Sequence, residues 1–93
     1  MNSKLTAYRE QILKLAEQHR ARNIRVFGSQ IRDEDTENSD VDLLVDFEES
    51  DLFNRIGLQQ EIEDLLGLKV DLLTERILHP AFRETILREA RPL

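Results

Sequence analysis

Gly28-Ser29 is followed by ten residues and then by Asp40-Val41-Asp42. In an extended strand, alternate side chains share a face, so Asp40 and Asp42 project together. Two carboxylates that close repel unless a cation stands between them. Mg²⁺ prefers oxygen ligands and keeps positions open for substrate phosphates. Two such ions about 3.5–4 Å apart activate an attacking oxygen and steady a leaving one. A site of this kind needs a third carboxylate from a neighbouring strand. Asp71, within Lys69-Val70-Asp71-Leu72-Leu73, supplies it if Val70 and Leu72 face the same layer as Val41, Leu43 and Val45.

The other half of the motif suits an anion. Gly28 ends a short apolar run where the backbone must approach a ligand closely or take an unusual dihedral. Ser29 would open a short helix whose N–H groups favour a phosphate, with the hydroxyl as a further donor; a plain N-cap role is compatible with this. Arg32, about one turn on, can reach a phosphate and equally suits a solvated surface.

These residues need elements to hold them. Leu5, Tyr8, Ile12, Leu15, Ala16 and His19 follow helical spacing, with Ser3 as the expected N-cap. Ile24 to Phe27 is β-branched and aromatic and reads as a strand entering Gly28. Val41 to Phe47 is a clearer strand, with Val41, Leu43, Val45 and Phe47 on one face and Asp40, Asp42, Leu44 and Asp46 on the other. Ser50 and Asp51 look like a helix start, Leu58, Ile62, Leu65 and Leu66 form its apolar side, and Gly67 caps its end. Leu68 to Leu73 predicts a third strand. Pro80 suits the first turn of a last helix, with Phe82, Ile86 and Ala90 as its buried side. Helices and strands in this order make an α/β (α+β) fold, a sheet of three strands packed with helices.

The chain has 93 residues, which suits a single domain over 1–93. It contains no cysteine, so disulfides and thiolate metal sites are excluded. No apolar run is long enough to span a membrane, and the N-terminus lacks the core of a signal peptide, which places the expected location in the cytoplasm. A formal net charge of −6 disfavours direct nucleic-acid binding, since phosphate contacts dominate that affinity. The acidic run Asp33 to Asn38 is no calcium loop: it lacks glycine at the sixth position, and Leu44 stands at the twelfth. His19 and His79 lie far from the motif and suit surface or capping roles.

Gly28-Ser29, the ten-residue spacer, Asp40-x-Asp42 with the hydrophobic residues after it, and the later Val70-Asp71-Leu72 resemble the DNA polymerase β-type nucleotidyltransferase superfamily. Within it, the chain is most similar to the minimal nucleotidyltransferases, the MntA-like antitoxins. The resemblance implies a mixed sheet of three strands or slightly more, two Mg²⁺ ions, and a nucleoside triphosphate donor, ATP. It implies that Asp40 and Asp42 bind the metals, and that Asp71 binds the catalytic one and helps deprotonate the acceptor hydroxyl. Gly28 and Ser29 would hold the triphosphate, and Arg32 matches an arginine of the family pattern. The implied reaction is transfer of AMP to a tyrosine of a HEPN-type toxin partner. Small members commonly continue Gly-Ser with Arg-Ala-Arg-Gly; here the run is Gln30-Ile31-Arg32-Asp33. Ile31 is expected to fill core space, and Asp33 to bring negative charge near the phosphate. The alternatives are an antitoxin that blocks its toxin by occlusion without catalysis, and a nucleotidyltransferase acting on a small molecule.

Overall fold

The computed structural model describes residues 2–32, 39–49 and 51–93. Asp33 and the rest of the acidic run to Asn38, together with Ser50, lie outside the described residues.

The N-terminal stripe forms two short helices in line, α1 (Ser3–Ala7) and α2 (Arg9–Gln18). The cap is Asn2, not Ser3: Asn2 Oδ1 accepts the Lys4 N–H at 2.8 Å, and Ser3 is the first helical residue. An amide oxygen caps as well as a hydroxyl does. Tyr8 separates the two helices with φ −103° and ψ 14° and stands exposed, outside the buried line of Leu5, Ile12 and Ala16.

Strand β1 (Ala21–Phe27) begins ahead of the expected Ile24. A bulge between Arg22 and Arg25 holds Asn23 at φ +55°. Asparagine tolerates this left-handed conformation. The extra residue resets the alternation, so Ala21 and Ile24 both reach the core while Arg25 and Phe27 turn to the opposite face. Strand β2 (Val41–Phe47) has the expected limits. Helix α3 (Leu52–Leu66) connects it to β3 (Val70–Leu73). The Asp51 carboxylate caps α3 by accepting from Phe53 and Asn54 N–H at 3.0 and 3.3 Å, and Gly67 ends it at φ +68°, where a Cβ would be strained.

The sheet is mixed and has four strands in the order β3-β2-β1-β4. Strand β2 runs antiparallel to β1 and parallel to β3. The fourth strand, β4 (Arg91–Pro92), pairs antiparallel with β1; two residues carry no periodicity from which to expect it.

Helices α1 to α3 seal one face, where Val41, Leu43, Val45, Val70 and Leu72 pack with Leu5, Ile12, Leu58 and Ile62. On the other face, Phe27, Leu44 and Leu78 meet Ile86 and Leu87 of α4 (Pro80–Glu89) and Ala90, its C-cap. Phe82, expected on the buried side, is 62% exposed. Only the second half of α4 meets the sheet, and Phe82 rests instead against the His79 ring, with centroids 5.6 Å apart. His79 Nδ1 accepts the Ala81 N–H at 3.0 Å, so this histidine is a helix cap. His19 bridges α2 to α3 through Asn54 at 2.7 Å and Glu61 at 3.1 Å.

Candidate active site

The parallel register of β2 and β3 sets Asp42 directly opposite Asp71. Both side chains point away from the sealed face. On the other flank, Phe27 pairs with Asp42, so the chain leaves β1 into the Gly28–Gln30 turn beside the same carboxylate. Gly28 has φ +75°, and a Cβ there would fall onto the Asp42 carboxylate. Glycine is therefore required twice, for the dihedral and for the contact.

Asp42 is half-buried, with its pKa pushed up to about 6. Burial is the largest cause, followed by the charge of Asp71, a hydrogen bond with Asp71, and the charge of Asp40; Arg32 acts in the opposite direction. Two carboxylates this close are relieved by a shared proton or by a cation between them. The donor set is all hard oxygen, which fits Mg²⁺.

The structure brings the expected residues together unequally. Asp42 and Asp71 meet. Asp40 is close enough for its charge to act on Asp42, yet its side chain is 53% exposed and lies 4.0 Å from Lys69 Nζ. Among the described residues, no three His, Asp or Glu side chains already form a metal cage. Gly28 and Ser29 occupy the turn as expected. Arg32 is ion-paired with Glu89 of α4 at 3.3 Å, so a phosphate there competes with that carboxylate. Ile31 packs against the core, as expected.

Gln30 is a site residue that sequence reasoning missed. It is 1% exposed; its Oε1 accepts the Asn2 N–H at 2.7 Å, and its Nε2 donates to the Asp40 carbonyl at 3.4 Å. It ties the start of β2 to the N-terminal cap. Its only signal in the sequence is its place directly after Gly28-Ser29. A cleft of about 660 Å³ lies elsewhere, toward the far end of β2, lined among others by Arg22, Asp46, Arg55 and Glu75.

The family model for the nucleotidyltransferase domain matches residues 8–93. The chain belongs to this nucleotidyltransferase family. It is 46% identical over 90 residues to the protein adenylyltransferase MntA of Thermococcus cleftensis, covering 96% of this chain and 88% of that one. A solved minimal nucleotidyltransferase superposes with a TM-score of 0.85 at 48% identity, covering 100% of this chain and 97% of the other. More distantly, the fold is shared with a toxin–antitoxin structure containing AMP-PNP, with a TM-score of 0.75 at 24% identity over 89% of this chain and 69% of that one. Family membership and these relatives make the chain a nucleotidyltransferase enzyme, with the small nucleotidyltransferase fold.

Proposed function

We propose that this nucleotidyltransferase is a Mg²⁺-dependent protein adenylyltransferase that transfers AMP from ATP to a tyrosine of a HEPN-type toxin, and so acts as the antitoxin of a cytoplasmic pair. The observation that carries this reading is the register that sets Asp42 against Asp71 beside the Gly28 turn, in a chain similar over nearly its whole length to a protein adenylyltransferase. The partner class is suggested by a fold neighbour described as a MNT antitoxin complexed with a tri-AMPylated HEPN toxin from Shewanella oneidensis, at 21% identity and a TM-score of 0.70 over 94% of this chain and 69% of that one.

In this reading Asp40, Asp42 and Asp71 hold Mg²⁺, which supplies the positive charge that offsets the triphosphate and the developing charge of the reaction. The Gly28-Ser29 turn binds the triphosphate through backbone N–H groups and the Ser29 hydroxyl. The tyrosine oxygen attacks the α-phosphorus, a new O–P bond forms, and the bond to the β-phosphate oxygen breaks to release pyrophosphate. The hydroxyl proton passes to the Asp71 carboxylate. Tyrosine suits this step because its ordinary pKa of about 10 lies well below that of an aliphatic alcohol.

Incubation with α-³²P-ATP, Mg²⁺ and the HEPN-type partner tests the proposal: label appears on a partner tyrosine. A wild-type chain that transfers no label yet neutralises the partner overturns catalysis in favour of occlusion. Exposed Leu52, Phe53 and Ile56 along α3 are what favour that second reading, since apolar surface of this kind marks contact sites.

A further inference from the structure

Strand β3 is an edge of the sheet, and an edge leaves alternate backbone groups without strand partners. Here side chains of α3 supply partners to three of them. Val70 N–H donates to Glu63 Oε2 at 2.9 Å. Leu72 N–H donates to Gln59 Oε1 at 3.1 Å. The Leu72 carbonyl accepts from Arg55 Nη1 at 2.9 Å. Residues 55, 59 and 63 are spaced by four, in one line along the helix. Four residues of helix rise about 6 Å, and two residues of strand rise about 6.6 Å. A helix lying antiparallel to the strand therefore brings its side chains in step with the Val70 and Leu72 N–H groups and the Leu72 carbonyl.

The strand so held carries Asp71. It is four residues long and pairs in parallel with β2, the weaker mode of pairing. Its Asp71 lies directly opposite Asp42 of β2.

We propose that Gln59 and Glu63 are positioning residues of the active site: their side-chain hydrogen bonds to the backbone of β3 fix its register and hold Asp71 against Asp42. The inference rests on the reading above that Asp71 takes part in adenylyl transfer. The acceptor oxygen is what matters, not the charge of Glu63. Glu63→Gln keeps a carbonyl oxygen at that place; Glu63→Leu and Gln59→Leu remove the acceptor at similar bulk.

Residue-resolved amide exchange on the metal-free protein, followed by transfer kinetics, tests this. Gln59→Leu is expected to speed exchange of the Leu72 amide about tenfold, and Glu63→Leu that of the Val70 amide about tenfold, with β1 amides unchanged. Each lowers kcat at least about tenfold while KM for ATP stays within about threefold. Glu63→Gln restores both slow exchange and kcat. If exchange quickens but kcat holds, the positioning role is overturned. It is overturned equally if Glu63→Gln behaves like Glu63→Leu, or if neither amide responds. Where one leucine variant fails to fold, the other judges the proposal on its own amide. A wild type that transfers no label overturns the adenylyltransferase reading instead, and the exchange rates still decide whether the side chains hold the strand.

Discussion

Asp42 and Asp46 sit on one strand, on the same face, four residues apart, and they meet opposite electrostatic fates. Asp46 accepts from Arg25 Nη2 and from Asn23 Nδ2, both at 2.9 Å. Arg25, its side chain 13% exposed, also reaches Glu75 at 3.4 Å, and Arg83 reaches Glu75 at 3.5 Å. That end of the strand is a closed network in which each carboxylate has a guanidinium. Asp42 faces another carboxylate, and the guanidinium whose charge acts on it, Arg32, is already paired with Glu89. One aspartate fastens the sheet; the other is held in an opposition that a proton or an added cation relieves. A strand can therefore carry a structural and a catalytic carboxylate with the same local pattern, and the neighbours decide which is which.

The two aspartates should respond to the same substitution with opposite signs. Asp42→Asn abolishes label transfer, the largest effect expected, while the metal-free protein becomes more stable at pH 7.5 in thermal or urea melts. Asp46→Asn leaves transfer per folded molecule intact and destabilises the fold by about 1–2 kcal/mol, because it weakens the hold on a mostly buried guanidinium. Equal signs at the two sites would erase the distinction.

Gly28→Ala sharpens the comparison from the other flank. It places a Cβ at φ +75° against the Asp42 carboxylate, and costs about 1–2 kcal/mol of backbone strain alone. Transfer falls with it, and Asp42→Asn does not relieve the dihedral part of the loss. Urea titration of the single and double variants measures both parts.

A pH dependence follows from Asp42. Its carboxyl keeps its proton to about pH 6 in the folded chain, against an ordinary value of 3.8. Between those values the folded chain binds more protons than the unfolded one, so this contribution is fully present below about pH 4 and is lost as pH rises through about 6. For a half-buried group the loss is on the order of 1–2 kcal/mol. Metal-free melts from pH 4 to 7.5 should show it in the wild type and not in Asp42→Asn. The smallest effect expected is that of Asp51→Ala, about 1 kcal/mol from the lost cap of α3, with no change at either aspartate.

Local chemistry made much of this molecule readable before any contact was known. Alternation from Val41 to Phe47 gave the central strand and its two faces, because period two is imposed by the backbone itself. Asp51, Gly67 and Pro80 marked helix ends for reasons confined to a few neighbouring atoms. The spacing of Gly28-Ser29 from Asp40 and Asp42, with Asp71 later, pointed to the family. The misreadings also have physical causes. Asn2 and Ser3 are both good caps, and sequence does not rank neighbours that close. Phe82 has the period of a buried residue, but α4 overhangs the sheet.

What the chain could not disclose along its length is who faces whom. The register that opposes Asp42 to Asp71, the Arg25 that neutralises Asp46, and the line of Arg55, Gln59 and Glu63 along the edge of β3 all join residues distant in sequence. By itself the sequence determined the strands, the caps and the inventory of carboxylates, since propensity and periodicity act over a few residues. Only the tertiary structure decided which carboxylates are paired and which are left in opposition, because Coulomb energy and desolvation depend on distance and burial across the fold.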